Sequence, residues 1–444
     1  MRAAALIALV ACGDNVPPDP NVAQSGARIR LVEYDYGGGA REYDTAWLFD
    51  AARGERCLPE RWSDGVTRCT PSFATAVFTS AECTEAVGQV PLGAPPPPYV
   101  VREFWLAGDF LPSKLYTAGT PTAAPAAVWL LRGTACDGPY EAAGFTYVSL
   151  GDEVPSAELV RITHPVVPST SRLQLEVVAS ADGLYAPFGL RDRVFDTSCT
   201  PVAAPGAAST VCLPAEVASA EYFHDAQCAE PELAVAAGDD VPAVIRHHDA
   251  RSGCTGYHDV GSQVTAPPLF HQNGPSCVAI AAPLDHRYFL TGARADVAVL
   301  DRDRDPTPRR IHPIALAHEG LRFADVHLYD EVLGTECRRA ELAGALRCVP
   351  VTSTPLIERF VSDSCQTVVS LAEVRTGPCF PPATFAIGSD RTLRRVGAIH
   401  AAPLYHLSTG DRCLPYEVPA GIELRDVGPV LPAEAYAEAS LVAP

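Results

Sequence analysis

Lysine is almost missing from this 444-residue chain: Lys114 stands alone, and the other 33 basic side chains are arginines. Against 53 Asp and Glu the formal net charge is −19, which repels phosphate backbones and argues against a nucleic-acid partner. Long apolar runs are missing as well; none reaches the roughly 18–20 residues of a membrane-spanning helix. Helical periodicity is scarce, and only Ala433–Val442 reads as a short helix. No Cys-x-x-Cys pair occurs, which argues against a zinc ribbon. The Gly-x-x-x-x-Gly-Lys phosphate loop, His-Glu-x-x-His and the Gly-x-Ser-x-Gly elbow are absent, and His318-Glu319 meets Arg322 where a zincin needs histidine. Schiff-base chemistry has only Lys114 to draw on.

What is present describes a folded, exported protein. Hydrophobic residues make up 47% and charged residues 20%, as in a globular chain too long for one core. Its 33 glycines and 41 prolines favour short strands and turns. Residues 1–11 have a basic start, an apolar stretch and a small residue before Cys12, the parts of a secretory signal. Leu9-Val10-Ala11-Cys12 resembles the bacterial lipobox, in which the cysteine carries lipid. Residues 12–28 are polar and proline-rich, a flexible tether behind that anchor. With Cys12 assigned to lipid, 14 of the 15 cysteines remain, an even set suited to disulfides in an oxidising compartment.

Four cysteines recur in three copies. Cys57, Cys199 and Cys337 are 142 and 138 residues apart; Cys69, Cys212 and Cys348 are 143 and 136 apart; Cys83, Cys228 and Cys365 are 145 and 137 apart; Cys136, Cys277 and Cys413 are 141 and 136 apart. An aromatic-Asp pair precedes the first (Phe49-Asp50, Phe195-Asp196, Tyr329-Asp330), and a proline follows the second by two (Pro71, Pro214, Pro350). A phenylalanine stands five before the third (Phe78, Phe223, Phe360), and an apolar-aromatic pair precedes the fourth. Such a period marks three structural copies, placed at 29–160, 173–299 and 311–444 with linkers Arg161–Arg172 and Leu300–Arg310. The expected short pairs are Cys57–Cys69, Cys199–Cys212 and Cys337–Cys348, each contributing roughly 3 kcal/mol by loop closure. A second tier of Cys83–Cys136, Cys228–Cys254 and Cys365–Cys379 leaves Cys277 and Cys413 over, an awkward remainder because they occupy equivalent positions. Cys254 and Cys379 have no counterpart in the first copy.

Strand-like segments dominate: ARIRLVEY, TAWLFD, VTRCTP, TAVFTS, VVREFWLA, AVWLLRG and GFTYVSLG in the first copy, with Asp64-Gly65 as a hairpin turn and Pro95–Pro98 outside any strand. The fold expected is all-β, most simply a six-bladed β-propeller with two blades per copy; the alternative is three tandem β-sandwich or barrel-like domains. Leu9–Cys12, the RGERCLPERWSDGVTRCTP segment and the phenylalanine-to-cysteine steps make the chain similar to three-copy, cysteine-rich lipoproteins of myxobacteria. That resemblance implies an outer-membrane or cell-surface address and carries no activity with it.

Three constellations suggest chemistry. Asp301, Asp303 and Asp305 alternate as cation ligands do, but Pro306 and His312 replace the glycine and glutamate of a calcium loop. His247, His248 and His258 form the densest imidazole set for a metal or general base, although adjacent strand residues face opposite sides. Asp50, Asp196 and Asp330 recur threefold, as carboxylates that cap turns do more often than catalytic ones. The reading is therefore a binding platform without cofactor or catalytic residue, monomeric, touching the membrane only through lipid and taking a protein or polysaccharide ligand, with an exposed patch expected around Trp62 or Trp105. The alternatives are a carbohydrate-active hydrolase or lyase with its site in copy-specific loops, and a structural envelope component.

Overall fold

The computed structural model describes residue 19 and residues 21–442, except 107–108, 204–209, 250–253, 266–267, 274–275, 352, 378, 381–382, 389–391, 409–411 and 420. Among the described residues it is all-β, with two 3-10 turns and no longer helix.

The first unit begins with an antiparallel meander of β1 (Ile29–Asp35), β2 (Arg41–Asp50), β3 (Glu55–Arg61) and β4 (Thr67–Pro71). It continues as β5 (Phe73–Phe78), β6 (Ala86–Pro91), β7 (Tyr99–Leu106), β8 (Asp109–Thr122), β9 (Val128–Arg132), β10 (Ala135–Tyr140) and β11 (Phe145–Val154). Strands β5, β6, β11, β8 and β7 pair in that order and close through a parallel β5–β7 contact, so this half is a five-stranded barrel carrying the β9–β10 hairpin.

The second unit has the meander β12 (Leu173–Ala179), β13 (Tyr185–Asp192), β14 (Thr197–Ala203) and β15 (Thr210–Pro214). Its barrel is β16 (Val217–Ser219), β17 (Tyr222–Phe223), β18 (Pro231–Ala236), β19 (Val244–Asp249) and β20 (Cys254–Val264), then the hairpin β21 (Leu269–Asn273) and β22 (Ser276–Ile280), then β23 (His286–Arg294). Here β16 and β17 are two halves of the first barrel strand. Strand β24 (Ala298–Arg304) follows.

The third unit repeats the order with meander β25 (Ile311–His318), β26 (Leu321–Asp330), β27 (Thr335–Leu342) and β28 (Ala345–Pro350). Barrel strands β29 (Ser353–Phe360), β30 (Val368–Arg375), β31 (Phe385–Ile387) and β32 (Leu393–Ile399) precede the hairpin β33 (Tyr405–Leu407) and β34 (Cys413–Pro415), then β35 (Ile422–Val430) and a final β36 (Ser440–Val442).

Six four-stranded blades are therefore not what the sheets form. The second half of each unit curls into a barrel, and one cause is glycine at the tightest crossing. A Cβ on Gly119 or Gly151 would lie 2.3 Å from a hydroxyl on the facing strand. Gly261 with Gly292 and Gly397 with Gly428 occupy the same place beside register shifts in the other barrels. Bulges of this kind bend a sheet until it can close.

Part of each segment expected to be a linker pairs with the meanders, the first through isolated bridges and the second as the end of β24. Arg161 bridges Arg68 while Thr163 bridges Ala179, which joins the first meander to the second. Strand β24 pairs with both β15 and β25. Glu438 bridges Arg347, and β36 pairs with β1, so the third meander returns to the first. Among the described residues the three meanders thus form a closed ring without a free edge, a sound answer to edge-strand exposure. Its core lies in three seams: Leu48, Ile162 and Leu184; Leu190, Leu300 and Phe323; Leu328, Ala437 and Ala40. Each seam holds one buried cystine, Cys57–Cys69, Cys199–Cys212 or Cys337–Cys348.

The recurrent neighbours now have physical reasons. Pro71, Pro214 and Pro350 end their strands directly opposite Cys57, Cys199 and Cys337. Phe78, Phe223 and Phe360 pair with Trp129, Phe270 and Tyr405, which docks each hairpin on its barrel. Asp64-Gly65 makes the β3–β4 turn, with Gly65 at φ +79°. The seven strand-like segments fall in β1, β2, β4, β5, β7, β9 and β11. The helix expected at Ala433–Val442 is only the turn Ala433–Ala435, after which the chain extends into β36; completing the ring outweighs weak helical propensity. Part of the expected tether is ordered too: Gln24 bridges Tyr185, and Asp182 accepts the Arg28 and Ile29 amides.

Candidate functional site

The cysteines pair completely among the described residues. Besides the three ring cystines, Cys83–Cys136, Cys228–Cys277 and Cys365–Cys413 pin each hairpin to the turn after the first barrel strand. Cys83, Cys228 and Cys365 all sit at φ 50–53°. Cys228–Cys254 and Cys365–Cys379 do not form: each hairpin cysteine takes its own unit's turn cysteine, and Cys254 joins Cys379 across units, 125 residues away. This cross-unit bond also resolves the awkward remainder. Cys12 lies outside the described residues.

The recurrent acids build a structural clasp. Asp50 accepts the Arg28 guanidinium through both oxygens (2.8 and 2.6 Å), and Asp330 does the same for Arg310 (3.3 and 3.0 Å). The member from the second unit is Asp192, bound by Arg172, and not Asp196, which is 90% exposed on the turn. All three buried carboxylates also cap the following turn, accepting the amides of Ala52, Val194 and Val332. Each arginine reaches onward to a carbonyl just ahead of a ring-closing strand: Glu158, Asp296 or Ala435. Seven residues separate Asp50, Asp192 and Asp330 from Cys57, Cys199 and Cys337, a spacing more telling than the aromatic-Asp pairs.

The remaining candidates do not converge. His247 lies edge-on to Phe223 at 5.6 Å, while His248 faces the other side beside Thr255. His258 stands opposite Ile245. Asp303 and Asp305 face Arg322 and Arg309, and no three metal-ligating side chains gather among the described residues. Lys114 binds Glu153 at 2.8 Å, a bond that raises its pKa. Trp62 forms no surface patch; it is 2% exposed, donates to Thr70 and stacks under Arg68. The side chain of Trp105 lies outside the described residues.

One concave site that the sequence did not single out is a cleft of about 320 Å³ between β2 and β25–β27. Arg339 spans its floor, 3.1 Å from Glu42 and 2.8 Å from Asp44, with its guanidinium 3.7 Å from the Tyr34 ring centre. Tyr36 donates to Glu42 at 2.7 Å. Burial raises the pKa of Glu42 despite Arg339, and burial pushes Tyr43 up to about 12. Across the cleft Asp325 is held by Arg302 (2.7 Å) and His327 (3.1 Å). These bulge carboxylates are clamped by cations, whereas Arg338 is exposed at the rim and Arg41 holds Glu33 only at 3.4 Å. The cleft thus offers cations outward on an acidic chain, which suits an anionic or polyhydroxylated ligand.

Comparison with known proteins assigns the chain at this point. Residues 5–436 match the model of a family of unknown function, DUF7481. The chain belongs to that family. No curated protein matches it, and no solved structure does. Seven cystines fit an extracellular or otherwise oxidising environment for this DUF7481 member, and no helix among its described residues is long and apolar enough to cross a membrane.

A second pair of acids in this DUF7481 chain lies near the passage from ring to barrel, Glu60 on β3 and Glu103 on β7. Glu60 is pushed up to about 7 by burial and by the nearby Glu103 charge, and burial also raises Glu103. Favouring the neutral acid in the fold means that stability is greatest below the ordinary pKa of 4.5 and falls as pH rises towards 7. Melting temperature should therefore decline between those values, and Glu60→Gln should flatten the decline; an equal slope in the variant would assign it elsewhere.

Proposed function

We propose that the chain is a binding platform of the bacterial envelope, lipid-anchored through Cys12, that takes a protein or polysaccharide ligand by an anionic group. The cleft carries this reading: its carboxylates are neutralised internally while Arg41 and Arg338 face out. We also read the three units as copies of one module, on the shared strand order, cystines and Arg–Asp clasps; the ring of three meanders is then what remains of the propeller expectation. Acidic and neutral glycan and peptide arrays, probed with the intact oxidised chain, test the proposal. Binding should favour carboxylated or sulfated ligands and fall at least about tenfold in the Arg41→Ala/Arg338→Ala variant, the loss expected from removing charge-assisted hydrogen bonds. Ligand binding unaffected by these substitutions would reject the cleft.

An extracellular carbohydrate-active enzyme is the second reading, favoured by the paired acids Glu60 and Glu103, because raised carboxyl pKa values serve general acid catalysis. Turnover of a polysaccharide that Glu60→Gln abolishes would select it over the platform.

A further inference from the structure

The three hairpins share one attachment but not one surface. Strand β10 carries Asp137 and Pro139, and β34 has three residues ending at Pro415, so proline or charge blunts both outer edges. Strand β22, Ser276-Cys277-Val278-Ala279-Ile280, has neither and is the outermost strand of its sheet. Val278 is 47% exposed, Ile280 37% and nearby Leu284 fully exposed. They lie within Val260–Leu284, 25 consecutive residues without Asp, Glu, Lys or Arg in a chain of net charge −19.

We propose that the β22 edge pairs antiparallel with the β22 edge of a second copy, giving a two-fold dimer in place of the expected monomer. A strand edge presents backbone donors and acceptors that another strand satisfies and a lipid surface cannot. Antiparallel pairing of identical strands is self-complementary, since one rotation places each Val278 and Ile280 against the partner's row. Charge selects the same occupant: two copies repel over most of their surfaces, and this hairpin, itself uncharged, is where they can approach with the fewest carboxylates opposed. The cystine Cys228–Cys277 anchors the strand, so pairing requires little ordering.

Sedimentation velocity on the intact oxidised chain, across about 1 to 100 µM to suit a small interface, tests this. The parent should shift from monomer to dimer as concentration rises, with added salt strengthening the dimer by screening the repulsion. Val278→Lys/Ile280→Lys should remain monomeric with an unchanged melting temperature. Amide exchange in parental β22 should slow as concentration rises, a readout that holds even if the double variant folds poorly. A parent that is monomeric throughout, a dimer that survives both substitutions, or exchange independent of concentration would overturn the proposal. Binding of neutral phosphatidylcholine vesicles by a monomer would do so as well.

Discussion

Asp192→Ala should cost about 3 kcal/mol of stability, because it takes from the largely buried Arg172 guanidinium its buried counter-ion and leaves only the exposed Asp296. The clasp joins the start of one meander strand, the end of the next and the approach to the ring-closing strand, so the loss should appear as loosening of the seam built on Leu190 and Leu300. Asp196→Ala is the control. It removes an exposed ion pair and puts alanine at φ +51°, and should cost no more than about 1 kcal/mol. Calorimetric melting of both variants in oxidising buffer measures the difference. Equal effects, or a larger loss for Asp196→Ala, would place the structural acid where the aromatic-Asp pairing first suggested.

The second large effect concerns the bond without threefold precedent. Cys254–Cys379 closes a 125-residue loop between the second and third barrels. In the chain-entropy model a loop of this length contributes about 5 kcal/mol, against about 3 for the short ring loops. Cys254→Ala/Cys379→Ala should therefore lower the melting temperature more than Cys57→Ala/Cys69→Ala does through loop entropy alone. Amide exchange should quicken around β19–β20 and β30–β31 and leave the first barrel unchanged. Uniform quickening in all three barrels would contradict a local cross-unit staple.

Much of the ring was legible because its parts are repetitive and short in range. A cystine across neighbouring strands, with proline facing the first cysteine, leaves a fixed spacing, and its threefold recurrence raises that spacing above chance. Barrel closure was less legible since it depends on which distant strands meet. Its local sign, the glycine pairs Gly119–Gly151, Gly261–Gly292 and Gly397–Gly428, follows the same period as the cysteines but resembles ordinary turn glycine. Arg161–Arg172 and Leu300–Arg310 looked like linkers because Pro and charge are common there, yet part of each pairs with the meanders on either side. Asp196 drew attention through the aromatic beside it, although burial follows register, and register is counted from the cysteine. The Arg339–Glu42–Asp44 floor joins residues nearly 300 positions apart and had no local mark at all.

Peptide mass mapping of the non-reduced chain examines the account most directly. It should recover seven cystine-linked peptide pairs, among them Cys228–Cys277, Cys365–Cys413 and Cys254–Cys379, with no free thiol among these fourteen cysteines. Recovery of Cys228–Cys254 with Cys365–Cys379, or of free thiols at the Cys57–Cys69 seam, would contradict both the ring and the placement of the barrels around it.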